Sequence, residues 1–141
     1  MYDTVKTDKP MTLMDFVKSA KCCIDEVTPE QAQAMMADKG DLLILDVRES
    51  SEHEQGHIKN ALLVPRGILE AAADPAYPKH QEELAAARSR PLLVYCATGG
   101  RSAMAAATLK LMGYGEVYNL AGGITEWDKV GCPIVREARY V

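Results

Sequence analysis

Two rhythms of apolar positions run through this chain, one helical and one extended. Between residues 11 and 23 Leu13, Met14, Phe16, Val17 and Ala20 recur at near-helical spacing, with Ile24 just beyond, which predicts a short amphipathic helix packed on the outside of the domain. A second helix start follows at once. Thr28 has the chemistry of an N-cap, Pro29 fits the first helical position, Gln31 stands where a capping-box partner belongs, and Gly40 closes the segment. The run Asp41-Leu42-Leu43-Ile44-Leu45-Asp46-Val47-Arg48 is almost continuously apolar before it ends in charges, as in a strand covered on both faces. Residues 61–64, 92–95 and 116–120 predict three further strands.

Helical segments at 68–73, 81–88, 102–112 and 124–130 separate or follow these strands, with Gly113 at the C′ position of the third. Residues 74–79 and the Ala121-Gly122-Gly123 stretch read as turns. Strands alternating with helices imply an α/β fold: an open parallel sheet flanked by helices on both faces. The domain is expected to occupy residues 26–141, with residues 1–25 as an N-terminal extension carrying the first helix.

Composition narrows what such a domain can do. A chain of 141 residues is the size of one domain and buries enough surface to fold without staples. With 16 Lys and Arg against 20 Asp and Glu, and no basic stripe, nucleic acid is not an expected partner. The first ten residues lack the apolar core of a secretory signal and no later run is long enough to span a bilayer, so a cytoplasmic protein is expected. Cys22, Cys23, Cys96 and Cys132 have no zinc-site spacing, and no disulfide framework is expected of them. Cys22 and Cys23 read as ordinary residues of the first helix.

Cys96 is different because of what surrounds it. It follows the apolar run Pro91-Leu92-Leu93-Val94-Tyr95 and precedes Ala97-Thr98-Gly99-Gly100-Arg101-Ser102, where a helix begins. A thiol at the carboxyl end of a strand, facing a tight loop that opens a helix, meets backbone N–H groups and the positive end of the helix dipole; both favour thiolate in partly open surroundings. Arg101 adds a nearby positive charge. A buried structural cysteine before an ordinary turn is the alternative. Open parallel sheets bind ligands beyond the carboxyl ends of their strands, and Asp46 and Arg48 fall on that same edge. As a pair they serve either to shape the active edge or, the favoured reading, to hold neighbouring loops.

Taken together these residues resemble the rhodanese family of sulfurtransferases, as a single-domain member. Four segments carry the resemblance over roughly residues 26–136: Leu45-Asp46-Val47-Arg48-Glu49; Glu54-Gln55-Gly56-His57-Ile58 leading to Asn60-Ala61; Val94-Tyr95-Cys96 with its loop to Arg101-Ser102; and Leu120-Ala121-Gly122-Gly123-Ile124 with Trp127. The resemblance implies that the Cys96 thiolate takes the outer sulfur of thiosulfate or a persulfide donor and passes it to cyanide, a thiol or a protein acceptor. It implies that Ala97, Thr98, Gly99, Gly100, Arg101 and Ser102 cradle the anionic sulfur, with Arg101 attracting the donor. No cofactor or metal is implied beyond the covalent persulfide. His57 is read as structural and Trp127 as core.

Two rival readings follow from the same segments. Phosphatases and arsenate reductases with a similar loop place one more residue between cysteine and arginine than the four found here, and tend to have histidine where this chain has Tyr95. A non-enzymatic sulfur carrier or sensor is the other. Many relatives carry a second cation directly after the cysteine; this chain has Ala97, which weakens the expectation for doubly charged thiosulfate.

Overall fold

The computed structural model describes residues 8–136. Five parallel strands form one open sheet in the order β1-β5-β4-β2-β3, where β1 is Asp25–Val27, β2 Leu43–Asp46, β3 Leu62–Leu63, β4 Pro91–Tyr95 and β5 Glu116–Leu120. Among the described residues seven α-helices lie around it: α1 Leu13–Lys21, α2 Pro29–Asp38, α3 Ser50–Gln55, α4 Leu69–Ala73, α5 Glu82–Ala85, α6 Gly100–Leu111 and α7 Gly123–Lys129. The α/β class and the parallel sheet expected from the sequence are both present.

Strand pleating sends the central apolar run to two separate cores. Leu43, Leu45, Leu92, Val94 and Cys96 face α4, α5 and α6, joining Leu69, Leu84, Ala105, Ala106 and Leu109. Ile44, Leu93 and Tyr95 face α2 and α7, joining Ala32, Ile124 and Trp127, which is buried as anticipated. The register sets Asp46 opposite Tyr95, so the residues that follow each strand emerge together at the carboxyl edge.

Three elements differ from expectation. Strand β1 was not foreseen, because its residues Asp-Glu-Val bury only the valine and offer no alternation to read; the sheet consequently starts inside the segment assigned to the extension. Helix α3 has no apolar residue and buries none; a capping box between Glu49 and Glu52 and its ties to the site hold it instead. Helix α1 forms, with a Thr12–Asp15 capping box, but buries only Val17 and Ala20. Leu13, Met14 and Phe16, expected against the core, are 66%, 54% and 52% exposed. The buried side of α1 faces α6, where a Cβ added at Gly100 would lie 3.5 Å from Val17.

Helix boundaries also shift. The Thr28–Gln31 capping box is as predicted, but α2 ends at Asp38, because Lys39 is already extended, rather than at Gly40. Residues 81–88 yield only the short α5. The helix expected from Ser102 begins at Gly100, which places Arg101 and Ser102 in its first turn. Gly113 follows α6 with a left-handed φ of 96°, as its C′ position requires.

Gly123 has the tightest surroundings. It has φ +62°, and an added Cβ would lie 2.4 Å from the Ala97 carbonyl oxygen and 2.6 Å from that of Cys96. Gly123→Ala is therefore expected to destabilise the fold by about 2–4 kcal/mol, combining a left-handed φ with a backbone clash. Gly40→Ala, whose Cβ would meet nothing within 4 Å, is the control expected to stay within about 0.5 kcal/mol in chemical denaturation.

Candidate active site at the carboxyl edge

Cys96 leaves β4 into a turn fixed from two sides. The N–H groups of Ile124 and Thr125, in the first turn of α7, donate to the carbonyls of Cys96 and Ala97 at 2.9 and 3.0 Å. Gly99 turns the chain with φ 106° into α6, and the Asn119 side-chain amide donates to its carbonyl at 3.2 Å. The same amide nitrogen donates to Glu26 of β1 at 2.8 Å. Asn119 thus ties the loop to the sheet.

This turn brings three donors to the Cys96 Sγ: the Gly99 N–H at 3.1 Å, the Ser102 N–H at 3.4 Å and the Ser102 hydroxyl at 3.3 Å. Together with the N-terminal end of the twelve-residue α6, they direct positive partial charge at the sulfur. Of the six loop residues expected to cradle it, Gly99 and Ser102 hydrogen-bond to Sγ in this state. Ala97 and Thr98 form the outer lip, half-buried and exposed respectively. Cys96 itself is 1% exposed, more covered than the expected partly open thiol, because the loop and α6 close over it.

Asp46 and Arg48 come to the same edge but serve its architecture. Arg48 donates through Nε and Nη2 to the two Asp46 oxygens at 3.0 and 2.8 Å, and through Nη2 to the Gly56 carbonyl at 2.8 Å. The Tyr95 hydroxyl donates to Asp46 at 3.0 Å and accepts the Ile58 N–H at 3.1 Å. Burial pushes the Asp46 carboxyl up, but hydrogen bonds from Arg48 and His53 outweigh it and hold the group below the usual carboxylate range. Burial pushes the Tyr95 phenol far above its ordinary value, so it stays a neutral donor. His57 is buried, stacks on His53 with ring centroids 3.7 Å apart and meets the His53 carbonyl through Nδ1 at 2.8 Å.

The residue that sequence reasoning missed is Glu52. From α3 it takes both Arg101 Nη groups, at 2.8 and 2.9 Å. Arg101 is consequently not the free cation expected for an anionic donor. The Arg101 hydrogen bonds, against a smaller opposing effect of burial, bring the Glu52 carboxyl down to about 2. No local pattern could have revealed a pair 49 positions apart. Beside it lies a cavity of about 330 Å³ lined by Arg48, Glu52 and Gln55 from one wall, Ala97 from the loop, Thr125 and Asp128 of α7, and Arg136. Among the described residues no cluster of His, Cys, Asp or Glu could hold a metal, and no helix is long and apolar enough to cross a membrane. All four cysteines are free.

A parallel α/β sheet carrying a cysteine loop at its carboxyl edge defines the class. Residues 28–130 match the family described as rhodanese-like domain, and the chain belongs to that family. It is 36% identical over 112 residues to a sulfurtransferase of Allochromatium vinosum, covering 79% of this chain and 95% of that protein. It is 31% identical over 127 residues to the tRNA uridine(34) hydroxylase of Cytophaga hutchinsonii, covering 90% of this chain but 39% of that longer protein. Among solved structures, a protein of unknown function from Rhodopseudomonas palustris, described as a possible tyrosine phosphatase, superposes with a TM-score of 0.83 at 30% identity, over 93% of this chain and 99% of that one.

The Glu52–Arg101 pair makes a pH-dependent contribution with a defined sign. A carboxyl held at about 2, below its ordinary 4.5, stabilises the fold above pH 4.5 and loses that contribution as pH falls towards 2. Glu52→Gln is expected to cost about 1 kcal/mol or less at pH 7, since both side chains are about a third exposed, and progressively less below pH 4.5. Urea denaturation of both proteins between pH 2.5 and 7 checks it; a difference independent of pH excludes the pair as its source.

Proposed function

We propose that this protein is a sulfurtransferase that carries sulfane sulfur as a persulfide on Cys96. The observation that supports the reading most directly is the convergence of two N–H groups and one hydroxyl on the Cys96 Sγ at the carboxyl end of β4. The Cys96 thiolate attacks the outer sulfur of the donor, the donor S–S bond breaks, and sulfite leaves from thiosulfate or a thiolate from a persulfide. Attack by cyanide or a thiol on the terminal sulfur then returns Cys96. No cofactor takes part.

The loop donors fit this cycle because they are fixed dipoles aimed where sulfur charge is largest, both before attack and after the acceptor leaves. The similarity to a sulfurtransferase over 79% of this chain and 95% of that protein supports transfer rather than hydrolysis. Between donors, the occupied Arg101 favours a persulfide over dianionic thiosulfate: thiosulfate has to approach a guanidinium already neutralised by Glu52.

Thiocyanate formation from thiosulfate and cyanide is expected for the wild type and absent for Cys96→Ser. Intact mass after exposure to a persulfide donor is expected to show one added sulfur that a reductant removes. Ser102→Ala, which deletes one donor to Sγ, is expected to lower kcat/KM by about ten- to a hundredfold. Equal rates for wild type and Cys96→Ser would end the sulfurtransferase reading.

A further inference from the structure

The cavity beside the loop has an unusual charge inventory. Four charged side chains line it, and two are already neutralised: Arg48 by buried Asp46 and Glu52 by Arg101. The other two have no charged partner among the described residues. Arg136 donates from Nε to the Gln55 carbonyl at 2.8 Å, and its two Nη groups have no hydrogen bond to another of the described residues. Asp128 sits exposed on α7, one turn after Thr125. The apolar part of the lining is Ala97, Ile124 and Ile134.

One cation and one anion from different elements, lining a cavity that Ala97 of the loop also lines, suit a ligand that carries both charges. A dianion gains at Arg136 but meets Asp128. A zwitterion satisfies both and leaves no ionised wall group unpaired. We propose that this cavity is a donor subsite for the persulfide of an α-amino acid or a short peptide, with the donor carboxylate at Arg136 and its ammonium at Asp128.

The inference rests on the sulfurtransferase reading. The donor R–S–SH and the Cys96 thiolate give R–S⁻ and Cys96–S–SH. The donor S–S bond breaks as the Sγ–S bond forms, its electron pair leaves on R–S⁻, and the proton stays with the transferred sulfur. No oxidant or reductant is consumed.

Single-turnover persulfidation of Cys96, followed by rapid quench and intact mass, tests the subsite with three donors. These are L-cysteine persulfide, N-acetyl-L-cysteine persulfide, which lacks the ammonium, and cysteamine persulfide, which lacks the carboxylate. Each rate is normalised to that donor's reaction with a free small thiol. L-cysteine persulfide is expected to exceed both others by about tenfold, the size of one charge-assisted contact. Asp128→Asn should bring it down to the N-acetyl donor, Arg136→Gln down to the cysteamine donor, and Arg136→Lys should retain most of the advantage. Equal normalised rates in the wild type, or variants that slow all three donors alike, would overturn the subsite while leaving Cys96 transfer intact. Sulfur uptake persisting in Cys96→Ser would instead overturn the sulfurtransferase reading, and the subsite with it.

Discussion

Two hydrogen bonds, from the Ile124 and Thr125 N–H groups to the carbonyls of Cys96 and Ala97, hold the site together. They join the end of the central strand to the start of α7, and only a residue without Cβ lets the two backbones approach that closely. With those carbonyls satisfied from one side, the chain can turn through Gly99 and aim the Gly99 and Ser102 donors back at Sγ. Loss of that junction would leave buried backbone acceptors unpaired and release the loop geometry at the same time.

A second layer of support runs through Asp46 and the side chains that meet it. Asp46 gathers Arg48, His53 and Tyr95, and Arg48 reaches on to the Gly56 carbonyl, so the α3 segment is anchored to the strand ends by one buried, fully bonded carboxylate. Burying such a charge is costly unless every lone pair is met, and here the partners come from three residues, Arg48, His53 and Tyr95. The result is a rigid wall from which Glu52 can reach Arg101.

How much of this was legible in the sequence depended on whether the cause was local. The β4–loop–α6 unit was readable because its apolar run, its glycines and its cysteine are contiguous, and the Thr28 cap because its partner is three residues away. The α/β class followed from the alternation. What escaped were causes at long range. Helix α3 exists by capping and tertiary anchoring without an apolar stripe, β1 by pairing with β5 alone, and Glu52 by a contact across the fold. The exposed face of α1 shows the converse, since a helical apolar pattern fixes the helix but not how many of its positions find a neighbour.

The division of charges at the edge has a chemical consequence. The groups that donate to Sγ are neutral, two backbone N–H groups and the Ser102 hydroxyl, whereas Arg101 is paired with Glu52 and Arg48 with Asp46. Fixed dipoles need no reorganisation when charge moves onto or off the sulfur, and salt screens them little because they are buried. On the proposed sulfurtransferase reading, recognition of the donor then falls to the cavity walls. A site in which Arg101 both stabilised the sulfur and bound the donor would couple the two, so that every change in donor charge would also change the reactivity of Cys96. On the proposed reading, the Glu52 clamp on Arg101 leaves donor charge to be met by other residues of the cavity wall.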